Sequence, residues 1–197
     1  MQLIKGKKEV VFILDQSGSM ASLAADTVGG FNSTLKRIRE SEGEVLVTTV
    51  LFNDKVHTLH DRIPLCKVPD ITERDYTPVG STALLDAVGS TVEHISSIHR
   101  YARPEDVPEH TLFFITTDGF ENASRRFSAD EVREMIREKT KESGWEFNFL
   151  AANIDAVSAA RDIGIPSECA YQVRSDAEGV RQCFNGIAKA ITRRPKK

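Results

Sequence analysis

Five oxygen-bearing side chains stand at three points of this sequence where loops are expected to meet: Asp15, Ser17, Ser19, Thr82 and Asp118. The two aspartates each end a run of apolar residues, and the threonine directly precedes an amphipathic segment. No His or Cys lies near any of the five in the sequence. Hard oxygen donors suit Mg²⁺, Mn²⁺ or Ca²⁺ and argue against zinc. The residue types therefore predict a divalent-metal site assembled from three loops.

The densest cluster is the segment 15–19, which reads Asp-Gln-Ser-Gly-Ser. In a tight loop alternate residues direct their side chains to the same side, so one carboxylate and two hydroxyls can face a single ion. Gly18 gives the backbone the freedom to bend around it. Taken one at a time, Asp15 and Asp118 are also typical strand-end caps, and Ser17 and Ser19 are also typical turn residues. The metal interpretation depends on the whole set.

Two continuous apolar runs are expected to position the aspartates. Residues 10–14 and 112–115 contain no polar interruption, which is typical of central strands that are buried on both faces of a parallel sheet. In open α/β sheets ligands bind beyond the carboxyl ends of such strands. Around these two runs, strands are predicted at 9–14, 44–52, 55–59, 111–117, 145–151 and 170–173, and helices at 21–40, 83–99, 128–141, 156–163 and 177–192.

Alternation of strands and helices predicts an α/β fold: a doubly wound, Rossmann-like, mostly parallel six-stranded sheet with helices on both faces. The turn signal Asn53-Asp54 joins two strands as a hairpin and makes one edge strand antiparallel. The length of 197 residues fits one domain, predicted at 1–192. The basic residues 193–197 are predicted to be a disordered tail.

The charge and the cysteine content indicate which classes of partner and which cell compartment the sequence favours. A net charge of −3 and a pI of about 6.0 favour neither nucleic acid nor an anionic membrane surface. The apolar run 10–14 is too short for a signal sequence or a membrane span. Cys66, Cys169 and Cys183 show no pairing pattern, so they are expected to be small buried residues in a reducing compartment. These observations predict a cytoplasmic protein.

Beyond spacing, the three segments 15–19, 80–82 and 117–119 together resemble the metal-ion-dependent adhesion site, or MIDAS, of von Willebrand factor type A domains. The resemblance covers nearly the whole chain, and the sequence is most similar to stand-alone bacterial members of that family. It implies that Ser17 and Ser19 bind the metal directly. It implies that Thr82 binds directly in the ligand-bound arrangement and otherwise through water, and that Asp15 and Asp118 hold the ion through waters.

This resemblance implies a divalent-metal-dependent protein-binding module that is a monomer and not an enzyme. The ion would be Mg²⁺, or Mn²⁺ or Ca²⁺ in its place. Direct ligands that are neutral hydroxyls leave the ion electrophilic, so an Asp or Glu of a protein partner can complete its shell. At the rim, Phe120 stands where close bacterial relatives often carry an acidic residue, which makes this rim more apolar.

Two other functions compete with this hypothesis. A metal-dependent phosphohydrolase could use Asp15 as nucleophile, but the acid/base carboxylate that such chemistry needs two residues later is replaced by Ser17. The sequence also lacks the Gly-X-Ser-X-Gly of serine hydrolases and the glycine-rich motifs of nucleotide sites. The other alternative is a scaffold domain in which the metal is purely structural.

Other polar residues receive structural interpretations. Asp86 is predicted to be a solvated or salt-bridged helix residue, and Arg125-Arg126 a solvated loop. Asn153 and Asp155 are predicted to form a turn and cap a helix. The five histidines are predicted to lie at the surface.

Overall fold

A sheet of six strands forms the centre of the computed structural model, which describes residues 4–40 and 43–192. Its strands are β1 (Ile4–Asp15), β2 (Val45–Phe52), β3 (Val56–Pro64), β4 (Pro108–Thr117), β5 (Glu146–Ala151) and β6 (Ala170–Gln172). They are arranged in the order β3-β2-β1-β4-β5-β6. All neighbouring pairs are parallel except β2 with β3, which form the predicted antiparallel hairpin at one edge.

Helices cover both faces of this sheet. They are α1 (Ala24–Arg39), α2 (Leu84–Tyr101), α3 (Ala129–Ser143), α4 (Ala156–Asp162) and α5 (Ala177–Thr192). Helices α1 and α5 pack against one face, and α2, α3 and α4 against the other. The predicted fold class, a doubly wound α/β sheet with one antiparallel edge strand, is confirmed.

The central strand β1 explains why the sheet is buried on both sides. Val10, Phe12 and Leu14 belong to the core beneath α1 and α5, while Val11 and Ile13 belong to the core on the opposite face. Successive side chains of a strand point to opposite faces, so an uninterrupted apolar run supplies both cores at once. The end of this strand is therefore fixed by packing from two directions.

Element boundaries differ from the prediction at the starts of two strands and one helix, and at the end of β3, which runs to Pro64 instead of residue 59. Strands β1 and β4 begin at Ile4 and Pro108, ahead of the predicted residues 9 and 111, because Ile4 and Pro108 pair with each other across a register shift. Lysines in that part of β1 hide the strand pattern. The predicted helix 21–40 begins as a 3₁₀ turn, Gly18–Leu23, before α1 starts.

Two histidines contradict the prediction that all five lie at the surface. His60 is buried on β3 and its ring nitrogen Nδ1 lies 3.1 Å from the hydroxyl of Thr49. His99 is largely buried because its Nε2 donates to the carboxylate of Glu9 at 2.6 Å, and Arg62 donates to the other oxygen of that carboxylate at 2.6 Å. The carboxylate of Glu9 is fully buried and needs hydrogen-bond partners, because an unpaired buried charge is costly. His99 is one of these partners and is therefore largely buried too.

The cysteines are only partly as predicted. Cys66 is exposed, contrary to the expectation that all three are buried, because it lies in the short 3₁₀ turn after β3. Cys169 and Cys183 are partly covered, and burial raises the pKa of the Cys183 thiol to about 12. All three are free thiols.

No helix within residues 4–40 and 43–192 combines the length and apolar character needed to cross a bilayer. The predicted tail 193–197 lies outside the residues that the structure describes. The assignment of 1–192 to one domain stays a prediction.

Candidate metal centre

Three loops converge at the carboxyl edge of the sheet, where the predicted site residues lie. Strands β1 and β4 are neighbours, with Leu14 opposite Thr116, so the loops that follow them start side by side. The loop that precedes α2 joins them through a backbone hydrogen bond of 3.0 Å from the Gly18 N–H to the Gly80 carbonyl. The parallel arrangement thus brings residues roughly a hundred positions apart into one site.

A chain of hydrogen bonds links four of the five predicted residues. The hydroxyls of Ser17 and Ser19 share a hydrogen bond of 3.0 Å, and the Ser19 hydroxyl donates to the Asp118 carboxylate at 2.6 Å. The Ser17 N–H donates to one carboxylate oxygen of Asp15 at 2.7 Å. Thr117 donates its hydroxyl to the other oxygen at 2.6 Å. Both oxygens of Asp15 are therefore held in a fixed orientation.

Thr82 completes the set from the third loop. Its side chain is buried, and its hydroxyl makes no hydrogen bond to any residue in the part of the chain that the structure describes. A Cβ added at Gly119 would stand 3.7 Å from the Thr82 hydroxyl oxygen and 3.9 Å from that of Ser19. The glycine thus leaves open a small space onto which two hydroxyls face.

The charge balance of this site is unusual. Asp15 is 0% and Asp118 is 5% exposed, yet no Lys, Arg or His among the described residues forms an ion pair with either. Burial raises the pKa of Asp15, and the nearby charge of Asp118 raises it further against the hydrogen bonds from Thr117 and Ser17. Two buried carboxylates without a cation are energetically costly. Oxygen-only donors beside them fit a hard divalent cation.

Tyr76 is a supporting residue that the sequence analysis missed. Its side chain is fully buried in the core beneath α1, and its phenol O–H donates to the backbone carbonyl of Asp15. Burial raises the pKa of this phenol, so it stays a protonated donor. The neighbouring residue Gln16 is held as well, because its N–H donates to the Phe52 carbonyl at 2.7 Å. The start of the 15–19 loop is thereby fastened to the core.

The loop after Asp118 is attached to the start of α2 by side chains that also escaped prediction. Asn122 accepts from the Thr82 N–H at 2.9 Å, and its own N–H donates to the Thr82 carbonyl at 3.0 Å. Glu121 accepts from the Leu85 N–H at 2.9 Å and from the backbone of its own loop. Both contacts bring the Asp118 loop against the threonine that faces the site.

Asp86 corrects a prediction. Instead of being solvated or merely salt-bridged, its carboxylate accepts hydrogen bonds from the backbone N–H groups of Arg125 and Arg126, both at 2.9 Å, and of Phe127 at 3.0 Å. Burial alone would raise the pKa of Asp86, but these three donors and the Arg126 charge hold it below its ordinary value. This helix residue anchors the far end of the Asp118 loop.

The remaining structural interpretations at this edge are as expected. Asp155 caps α4 by accepting from the N–H groups of Val157 and Ser158. Asn153 adopts a left-handed turn conformation with φ of 56°. Asn53 accepts from the Lys55 N–H at 2.9 Å within the β2–β3 turn. The Arg125-Arg126 pair is exposed, and Arg126 pairs with Glu93.

Comparison with known proteins finds similarity at the level of structure. No protein-family profile and no curated protein sequence matches the chain. The von Willebrand factor domain of the type V pilus tip protein Mfa5 from Porphyromonas gingivalis is similar over 96% of this chain and 97% of that one, with a TM-score of 0.65 and 13% identity. Similarity at such identity establishes a shared fold.

Two further structures are similar over only part of their own length. Mussel byssus proximal thread matrix protein 1, described with a zinc-occupied MIDAS motif, matches over 95% of this chain and 46% of its own, with a TM-score of 0.64 and 15% identity. The pilus adhesin SpaC from Lactobacillus rhamnosus GG matches over 93% of this chain and 30% of its own, with a TM-score of 0.66 and 14% identity.

Proposed function

We propose that this chain, which has the fold of von Willebrand factor type A domains, is a divalent-metal-dependent protein-binding module without catalytic activity. The observation that carries the proposal is the pair of buried carboxylates, Asp15 and Asp118, with no basic partner among the described residues. A divalent cation would neutralise them, and the hydroxyls joined to them supply oxygen ligands.

In this proposal the hydroxyls of Ser17 and Ser19 bind the ion directly, and Asp15 and Asp118 act through bound waters. Thr82 binds the ion directly when a partner is bound and otherwise through water. The direct ligands are neutral, so the bound ion keeps its affinity for an added carboxylate. Ser19 is exposed at the mouth of the site, so an Asp or Glu of a partner protein can approach. The fixed orientation of the Asp15 carboxylate keeps the loop ready for the ion.

Mg²⁺ is the proposed ion, with Mn²⁺ or Ca²⁺ as alternatives. The donor set contains only oxygen, which favours hard cations. Mussel thread matrix protein 1 has been described with zinc in its MIDAS motif, which supports a divalent ion in this fold without selecting magnesium.

The enzyme alternative is weaker. Both carboxylate oxygens of Asp15 already accept hydrogen bonds, from the Ser17 N–H and the Thr117 hydroxyl. A phosphohydrolase nucleophile needs a free oxygen and a second acid/base group nearby, and position 17 is a serine. The scaffold alternative, with a purely structural metal, predicts metal binding without metal-dependent partner binding.

The remaining parts of the proposal concern context. Binding to neither nucleic acid nor an anionic membrane fits the net charge of −3, and the monomeric state stays a prediction. A cytoplasmic location is based on the three free cysteines and stays a prediction. Two of the similar structures are pilus proteins, so the comparisons do not support a cytoplasmic location. Bacterial origin also stays a prediction.

Thermal unfolding tests the metal part of the proposal. At a Mg²⁺ or Mn²⁺ concentration about 100 times Kd, binding to the folded state adds about 2.7 kcal/mol of stability. For a domain of this size that corresponds to a rise in Tm of roughly 5–11 °C. Ser17→Ala should lose the rise, whereas Ser33→Ala, an exposed serine on α1, should keep it. No rise in the wild type would contradict metal binding.

Partner binding and catalysis need separate tests. A partner retained in Mg²⁺, released by EDTA and absent with Ser17→Ala supports the bridging role, whereas equal retention in EDTA favours the scaffold alternative. Hydrolysis of a generic aryl phosphate that Asp15→Asn abolishes would instead favour the enzyme.

A further inference from the structure

Two large apolar side chains are exposed at the edges of the metal site. Phe120 is 70% exposed and follows Gly119, while Val79 is 58% exposed and precedes Gly80. Isolated exposed apolar residues are ordinary on protein surfaces. The position of these two, each one residue from a glycine that lines the site, is what calls for an explanation.

Backbone contacts fix both residues relative to the metal loop. The Val79 N–H donates to the Gln16 carbonyl at 2.9 Å, and the next residue accepts from the Gly18 N–H at 3.0 Å. On the other side, the loop of Phe120 is fastened by the hydrogen bond of 3.0 Å from the Asn122 N–H to the Thr82 carbonyl. Their placement beside the site is therefore a property of the fold.

Charges at this rim are few and unevenly placed. Six exposed residues beside the metal loops are uncharged: Gly18, Ser19, Val79, Gly80, Ser81 and Phe120. Arg174, which is exposed and lines a pocket together with Asp118, forms an ion pair with Asp176. Glu121 uses its carboxylate for hydrogen bonds within the protein. Asp54 lies beside Gly80, with a carboxylate oxygen 2.6 Å from where a Cβ of residue 80 would stand. A run of acidic residues in a partner would be repelled on the Asp54 side.

We propose that Val79 and Phe120 form an apolar rim that selects a partner segment carrying one Asp or Glu flanked by an aliphatic or aromatic residue. This inference rests on the proposed function, because the acidic residue is the one that reaches the metal. Charge complementarity favours a single carboxylate, and burial of apolar side chains around it excludes water from the contact. The occupant is thus a protein segment that is acidic at one position and apolar beside it.

A displayed peptide library tests the inference. Its peptides carry a fixed Asp or Glu with random flanking positions, and they are selected on the whole chain in Mg²⁺ with elution by EDTA. Selection on the wild type should enrich Phe, Leu, Ile or Val next to the fixed acid. Selection on Phe120→Ser should lose that enrichment. Tyr101→Ser is the matched control, because Tyr101 is 82% exposed at the end of α2, and it should give the wild-type result.

The affinity of an enriched peptide for the wild type and for variants measures how much Phe120 contributes to binding. Phe120→Ala should weaken its binding by about tenfold, as expected for the loss of an apolar anchor. The metal-dependent rise in Tm should persist in this variant, which separates rim damage from site damage. If the selected peptides bind in a metal-dependent way but show no preference beside the acid, the apolar rim is wrong and the proposed function stands. The same holds if the preference survives Phe120→Ser. The absence of any metal-dependent peptide would overturn the proposed function as well.

Discussion

Replacement of Tyr76 by Phe tests how the metal loop is held. The substitution removes one oxygen and keeps the ring, so no cavity forms in the core. The lost hydrogen bond is the one that the phenol donates to the Asp15 carbonyl. A buried acceptor that loses its partner costs about 1–3 kcal/mol. The free energy of unfolding should therefore fall by about this amount.

Metal affinity should fall too, because the lost bond holds the main chain where the loop 15–19 begins. If about 1 kcal/mol of its free energy is recovered only when the loop is ordered by the ion, the Kd for Mn²⁺ rises roughly fivefold. Urea unfolding in EDTA measures the stability, and isothermal titration calorimetry with Mn²⁺ measures the affinity.

Thr34→Val is the matched control. Thr34 is equally buried on α1, and its hydroxyl donates to the Phe184 carbonyl of α5 at 3.0 Å, in the helix pair and outside the metal loop. This variant should lose similar stability and keep the wild-type Kd. If Tyr76→Phe behaves like Thr34→Val, with a stability loss and an unchanged Kd, Tyr76 has no role in positioning the metal loop.

Three further predictions concern packing, pH and thiol chemistry. Gly30→Ala should cost about 1–3 kcal/mol of unfolding free energy in a urea titration, because its Cβ would stand 2.4 Å from the ring of Phe184 on α5. Gly29→Ala is the control: a Cβ there would meet open space, so the variant should be neutral or stabilised by up to about 1 kcal/mol. Asp86→Ala should lower the free energy of unfolding most at pH values above about 3.9, the pKa of an aspartate in the unfolded chain. The pKa of Asp86 is lowered in the folded protein, so its contribution to stability should disappear as pH falls through that lower value. A loss of stability in Asp86→Ala that is the same at low pH would contradict this. An aromatic disulfide reagent should modify the exposed Cys66 first. The partly covered Cys183, whose pKa burial raises to about 12, should react much more slowly, as mass spectrometry of partly labelled protein can show. Labelling of Cys183 as fast as Cys66 would contradict this order.

The sheet could be predicted because its signal is local. Uninterrupted apolar runs mark β1 and β4, and the parallel arrangement that follows from alternating strands and helices places Asp15 and Asp118 at one edge. The convergence of the five candidate residues follows from that topology, without knowledge of any single contact.

The supporting contacts could not be predicted because they depend on tertiary structure. Tyr76 donates to a carbonyl 61 residues away, and Asp86 accepts from a loop about 40 residues away. Neither pairing leaves a signal in the local hydrophobic pattern. Glu9 directly precedes the apolar run of β1 and is buried with it, and its partners Arg62 and His99 lie 53 and 90 residues further along the chain. Only the folded chain shows which charges are compensated.

Anomalous diffraction from a crystal containing Mn²⁺ can show whether the side chains of the proposed metal site bind a divalent cation. We expect one anomalous peak among the hydroxyls of Ser17, Ser19 and Thr82, beside Asp15 and Asp118, and its loss in Ser17→Ala. A Mn²⁺-saturated crystal with no peak among these side chains, or with a peak that Ser17→Ala leaves in place, would contradict the proposed metal site.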